Sequence, residues 1–150
     1  MKTRTPVALV ALLILALWAA PDGAALAQQR IDLPGADRNA IEKVIRDQLS
    51  AFRRDDGAGA FGYASPTIQG IFGTAEIFME MVRTGYAPVY RPRDVSFKDI
   101  VVFQGQPTQR VVIIGPDGVP VMALYMMQRQ PDGTWLINGC TLVALDDKSA

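Results

Sequence analysis

The sequence has no histidine and a single cysteine, Cys140, among its 150 residues. Without histidine, Ser-His-Asp and Cys-His catalysis are excluded, and so are zinc sites built on imidazole. With one cysteine, no disulfide forms within the chain, whatever the redox compartment. Neither sign of charge is in excess, since 15 Lys and Arg balance 15 Asp and Glu. The basic footprint of a nucleic-acid binder is therefore missing, and nothing favours a charged membrane surface as partner. Low-complexity tracts and internal repeats are also lacking. The tripeptide Pro-Asp-Gly occurs at Pro116–Gly118 and at Pro131–Gly133, but the segments around it do not match.

A membrane-spanning helix needs about 20 apolar residues, whereas the uncharged run Val7 to Ala20 is shorter and stops at Pro21. Lys2 and Arg4 precede that run, and Ala25-Leu26-Ala27 follows it before Gln28. A positive start, an apolar segment, a helix breaker and a small-x-small site make the pattern of a cleaved export signal. The expectation is a cut after Ala27, with Ala25 and Ala27 filling the protease's small-residue subsites, and a periplasmic or secreted mature protein. No cysteine lies near the cut, so the lipoprotein route is excluded. The cut takes away 27 residues, with Lys2, Arg4 and Asp22, and leaves 13 basic and 14 acidic side chains. A chain of this size builds a hydrophobic core as one domain without disulfide staples.

Residues 28–37 read as a flexible lead-in, residues 38–146 as a single domain and residues 147–150 as a tail. Asp37 is placed as the N-cap of a helix from Arg38 to Arg54, with Ile41, Val44, Ile45, Leu49 and Phe52 on one face. Asp55-Asp56-Gly57 breaks it, and one or two helical turns carry Phe61 and Tyr63. Ser65-Pro66 is a cap followed by an N1 proline, opening a brief helix that Gly73 ends. Thr74 caps another, Ala75 to Thr84, closed by Gly85, with Ile77, Phe78, Met81 and Val82 as its apolar stripe. Beyond Tyr86, Pro88 and Pro92 predict an extended approach to four strands: Val95–Phe103, Gln109–Gly115, Val119–Gln130 and Thr134–Leu145. In each Pro-Asp-Gly turn, proline presets φ and glycine takes the left-handed position that closes a bulged hairpin. Gly139 inside the last strand predicts a bulge or bend. Helices first and hairpins afterwards give an α+β fold, N-terminal helices on a curved antiparallel sheet.

The runs IRDQLSAFRRDDGAGAFGYASPTIQGIFG, FMEMVRTGYAPVYRPRDVSF and ALYMMQRQPDGTWLINGC resemble a bacterial domain-of-unknown-function family, number 4864. The segments YASP, GYAPVYRPR and QRQPDGTW carry the resemblance, which covers about Ile41 to Val143. That family looks like an outlying member of the nuclear-transport-factor-2-like superfamily. The resemblance implies a cone-like α+β roll in which helices close a strongly bent sheet. It carries over no catalytic residues, and the superfamily it points to holds both enzymes and binding domains, so fold alone assigns no activity.

Four groups of residues are candidates for chemistry. Tyr86, Tyr90, Arg91 and Arg93 lie together in GYAPVYRPR, where two guanidiniums beside two phenols would clamp a carboxylate or phosphate; the plainer role is rim packing, with the arginines paired to Asp94 or to water. Asp55, Asp56 and Tyr63 suggest a base and an enolate stabiliser, as in ketosteroid isomerase; acids at a helix end more often cap it. Cys140 is either a reactive thiol or, between Leu136, Ile137, Leu142 and Val143, a small buried hydrophobe. Met122 and Met126 face one side of a strand and Met127 the other, which suits packing better than a copper site.

No cofactor and no metal follow from these residues. The sequence therefore points to a non-catalytic exported domain that binds a small ligand or an envelope protein, with Tyr63, Tyr86, Tyr90, Arg91 and Arg93 as candidate contacts. The outer face of the sheet is a surface for self-association as a homodimer. The alternative is a histidine-free isomerase or lyase acting on a small organic substrate inside the cone.

Overall fold

The computed structural model describes residues 29–145. The expected signal segment, its cut after Ala27 and the tail at 147–150 lie outside the described residues. Within them, helices α1 (Gly35–Arg53), α2 (Gly57–Gly62), α3 (Pro66–Phe72), α4 (Ala75–Gly85) and α5 (Ala87–Tyr90) come first. Strands β1 (Asp94–Phe103), β2 (Gln106–Ile114), β3 (Pro120–Arg129) and β4 (Trp135–Ala144) follow. The strands pair in chain order as one antiparallel meander, an open four-stranded sheet. This is the α+β arrangement that helices first and hairpins afterwards predict.

The apolar stripe of α1 explains where that helix lies. Ile41, Ile45, Leu49 and Phe52 are buried, joined by Gln48, and they pack with Ile113, Ala123, Tyr125, Met127 and Ile137 of the sheet in one core. Burying each large side chain contributes roughly 1.5–3 kcal/mol, so this stripe holds α1 on the sheet without strong helix propensity. Phe78 of α4 completes the helical layer, with Phe52, Phe61 and Phe72 around it at centroid distances of 6.2, 5.2 and 5.6 Å.

The start of α1 differs from expectation. Asp37 is not the N-cap: the helix begins at Gly35 behind Pro34, and Asp37 sits in its first turn. Its carboxylate accepts from the Trp135 indole at 3.0 Å, and Arg129 stands 3.7 Å away. A long-range donor therefore outcompetes the local capping bond. Part of the expected flexible lead-in is paired as well: Ile31 donates to the Ile100 carbonyl and Val102 donates to that of Gln29. Arg30 then ion-pairs with Asp99 at 2.9 Å, so the segment lies along β1.

The Ser65 and Thr74 caps are in place, accepting from Ile68 and Ile77 backbone N–H groups. Pro88 does not impose an extended approach. It stands at the N-terminal end of the single turn α5, where a missing N–H costs nothing. Gly115 at the end of β2 lets that turn settle on the sheet: a Cβ there would lie 3.2 Å from the Pro88 Cα.

The strand β2 starts three residues earlier than expected. Gln104 and Gly105, with φ of 49° and 74°, make a two-residue hairpin, and Pro107 pairs with Val102 beyond the reach of β3. A proline without N–H is harmless there. Both Pro-Asp-Gly turns place glycine at positive φ, 79° at Gly118 and 87° at Gly133. Asp117 and Asp132 accept from the backbone N–H two residues on. A register shift between Met126 and Met127 leaves Asn138 unpaired on β4, next to Gly139. The irregularity expected at Gly139 is thus one residue away.

Candidate functional site

Met126 and Gly139, beside the register shift, stand among residues that line a space between sheet and helices. Here lies a cavity of about 370 Å³. Its helical wall is Gln48 and Phe52 from α1, Ile68 and Phe72 from α3, Phe78, Met81 and Val82 from α4, and Val89 from α5. Its sheet wall is Tyr125, Met126, Ile137, Gly139 and Cys140. Tyr86, between α4 and α5, closes one side. The walls carry no Asp, Glu, Lys or Arg.

Each polar group in these walls has its own account. The Gln48 amide donates to the Ala60 carbonyl at 3.1 Å and ties α1 to α2. The Tyr86 hydroxyl donates to the Cys140 carbonyl at 3.0 Å, pinning the α4–α5 junction to β4. Tyr125 is fully buried, and its hydroxyl has no hydrogen-bond partner. Cys140 is its register partner across β3 and β4. Burial pushes the Tyr125 phenol far above its ordinary range, with Cys140 adding to the effect. The thiol is itself pushed up by burial to about 12, against a smaller opposing effect of Tyr125. Both stay protonated near neutral pH. Cys140 is half-buried rather than fully buried, packed against the edge of the core.

Only Tyr86 among the five candidate contacts lines the cavity. Tyr90 and Arg91 sit outside it, in a cluster sequence reasoning did not assemble. Arg91 donates to Asp55 at 2.9 Å, to the Tyr90 hydroxyl at 3.0 Å and to the Phe52 carbonyl at 2.6 Å, and its guanidinium stacks 3.8 Å from the Tyr90 ring centroid. Tyr90 in turn donates to Asp55. The anion in front of the Arg91 fork is thus the chain's own Asp55, not Asp94 and not an open site. Arg93 is exposed, its backbone N–H bonded to the Ile114 carbonyl. Tyr63 is half-buried against the core, and its carbonyl accepts from Ile137.

The base-and-tyrosine arrangement is not assembled around Tyr63. Asp55 belongs to the Arg91 cluster, and Asp56 caps α2 by accepting from Gly59 at 2.9 Å. Among the described residues no group of three or more His, Cys, Asp or Glu is arranged to hold a metal ion. What sequence reasoning missed is the cavity wall itself. Gln48 carried a signal, a polar residue on the buried stripe of α1. Tyr125 carried a weaker one, its place between Ala123 and Met127 on the inner face of β3.

Helices laid on one face of a meander, with an uncharged, mostly apolar cavity between the two layers, define a small α+β domain. A family model described as a domain of unknown function (DUF4864) matches residues 35–150, and the chain belongs to that family. No curated protein and no solved structure matches it.

Proposed function

We propose that this protein is an exported domain that binds a small apolar molecule between its helices and its sheet and performs no chemistry on it. The observation that carries this reading is the cavity of about 370 Å³ with uncharged, mostly apolar walls, within the usual size of small-molecule sites. An isomerase or lyase needs a base beside the substrate; the carboxylates nearest in sequence, Asp55 and Asp56, are spent on Arg91 and on the α2 cap. Anion capture by Arg91 is disfavoured for the same reason. The cone-like roll of the nuclear-transport-factor-2-like superfamily is the fold we favour, supported by the order of elements and the bulges that bend β1 and β3–β4. Periplasmic or secreted location rests on the tripartite pattern of residues 1–27.

Thermal-shift screening of the purified protein against neutral lipids and organic acids tests the binding reading. Hits should be lost in Ile68→Trp, which fills the cavity, and kept in Ile71→Trp, whose side chain is 69% exposed. Equal loss in both variants would remove the cavity as the site. Mass spectrometry of exported material tests the location, with Gln28 expected as the first residue; a chain retaining Met1 would overturn it.

A further inference from the structure

Tyr125 carries the one buried side-chain polar atom, among the described residues, that has no hydrogen-bond partner. Buried hydroxyls are nearly always paired, because desolvating a donor without a partner is unfavourable. Tyr125 stands on the inner face of β3 among the residues that line the cavity, with its hydroxyl closed off from water. The neighbour that acts on it is the Cys140 thiol, a weak acceptor at best. The remaining polar groups of the wall are engaged elsewhere, Tyr86 with the Cys140 carbonyl and Gln48 with that of Ala60.

We infer that the ligand is a neutral apolar molecule bearing one hydrogen-bond acceptor oxygen, a carbonyl, ether or ester, which accepts from the Tyr125 hydroxyl. The inference rests on the binding function proposed above and adds its selectivity. Three features converge on that class. The walls carry no cation to offset a carboxylate or phosphate, so an anion would be desolvated without compensation. The Tyr125 hydroxyl remains a donor near neutral pH, since burial opposes its ionisation. Met81 forms part of the wall, and its unbranched thioether repacks around an entering group.

Three test ligands with the same two aromatic rings separate the possibilities: benzophenone, diphenylmethane and diphenylacetate, titrated calorimetrically into the protein and into Tyr125→Phe. Benzophenone should bind about tenfold more tightly than diphenylmethane, the usual effect of satisfying one buried donor, and diphenylacetate most weakly. In Tyr125→Phe that tenfold advantage should vanish while diphenylmethane changes by less than about twofold, as expected for an isosteric wall. If ketone and hydrocarbon bind equally to the parent protein, or if the preference survives in Tyr125→Phe, the acceptor inference is wrong and the apolar pocket stands. Tightest binding of diphenylacetate also overturns it. Binding by none of the three removes the pocket reading together with the inference.

Discussion

Tyr90 donates its phenolic hydrogen to the carboxylate of Asp55, which lies 35 residues earlier at the end of α1 and takes a left-handed φ of 55°. The bond closes a triangle with Arg91, which also holds the Phe52 carbonyl. It fastens α5 to the last turn of α1, beside the cavity that Phe52 and Val89 line. Tertiary partners thus keep a non-glycine residue in a backbone region that side chains rarely adopt.

This cluster predicts acid sensitivity. The hydrogen bond from Tyr90, then that from Arg91, holds the Asp55 carboxyl below its ordinary value of 3.8. Asp99 is also held low, although its burial pushes the other way, because Arg110 and Arg30 outweigh it. Asp132 is lowered by Thr134. A carboxyl depressed in the folded state contributes stability that is complete above its unfolded value and is lost as pH falls through the folded one. The urea midpoint should therefore be level down to about pH 5 and fall below about pH 4, where unfolded carboxyls begin to bind protons. In Asp55→Asn the fall should be shallower. A midpoint independent of pH from 7 to 3 would contradict this account.

Tyr86 and Tyr125 should respond oppositely to loss of their hydroxyls. Tyr86→Phe breaks the bond to the Cys140 carbonyl and leaves that acceptor unpaired, at a cost of about 1 kcal/mol. Tyr125→Phe removes a buried group that has no partner, so stability should stay level or rise by up to roughly 1 kcal/mol. Denaturant titration of both variants decides the matter, and equal losses would mean that Tyr125 is bonded in solution.

Cys140 should resist thiol reagents. With its thiol pushed up by burial to about 12, from an ordinary 9.0, the reactive thiolate at pH 8 is about a thousandfold scarcer than in the unfolded chain. A disulfide-exchange reagent should label the folded protein slowly and the urea-unfolded protein within minutes. Because the folded value is the raised one, stability complete below about pH 9 should decline as pH rises toward 12. Rapid labelling in the folded state would show an open, ionisable thiol.

Gly115 and Gly70 offer a contrast in packing. At Gly115 an added methyl would meet Pro88 backbone and side-chain carbons at 3.1–3.2 Å, and overpacking of this kind costs about 1–3 kcal/mol. At Gly70, in the middle of α3, nothing lies within 4 Å, so Gly70→Ala should stabilise by roughly 0.5–1 kcal/mol through helix propensity. Thermal melts that moved both variants the same way would refute the close approach of α5 to β2.

By itself the sequence determined the local features. The stripe Ile41, Ile45, Leu49 and Phe52, the Ser65 and Thr74 caps and the paired Pro-Asp-Gly turns each depend on neighbours a few residues apart, so spacing and residue type suffice to read them. The order of helices and hairpins followed, and with it the α+β class and the family. Long-range partnerships were decided only by the tertiary structure. Asp37 cannot be known to prefer Trp135 over its own helix start, nor Asp55 to occupy the Arg91 fork, until chain closure brings donors from 98 and 36 residues away. Nor does any local pattern show that helices and sheet leave a cavity between them, or that the buried Tyr125 hydroxyl lacks a partner. Both depend on which groups the packed helices and strands bring together, a property of packing rather than of any segment.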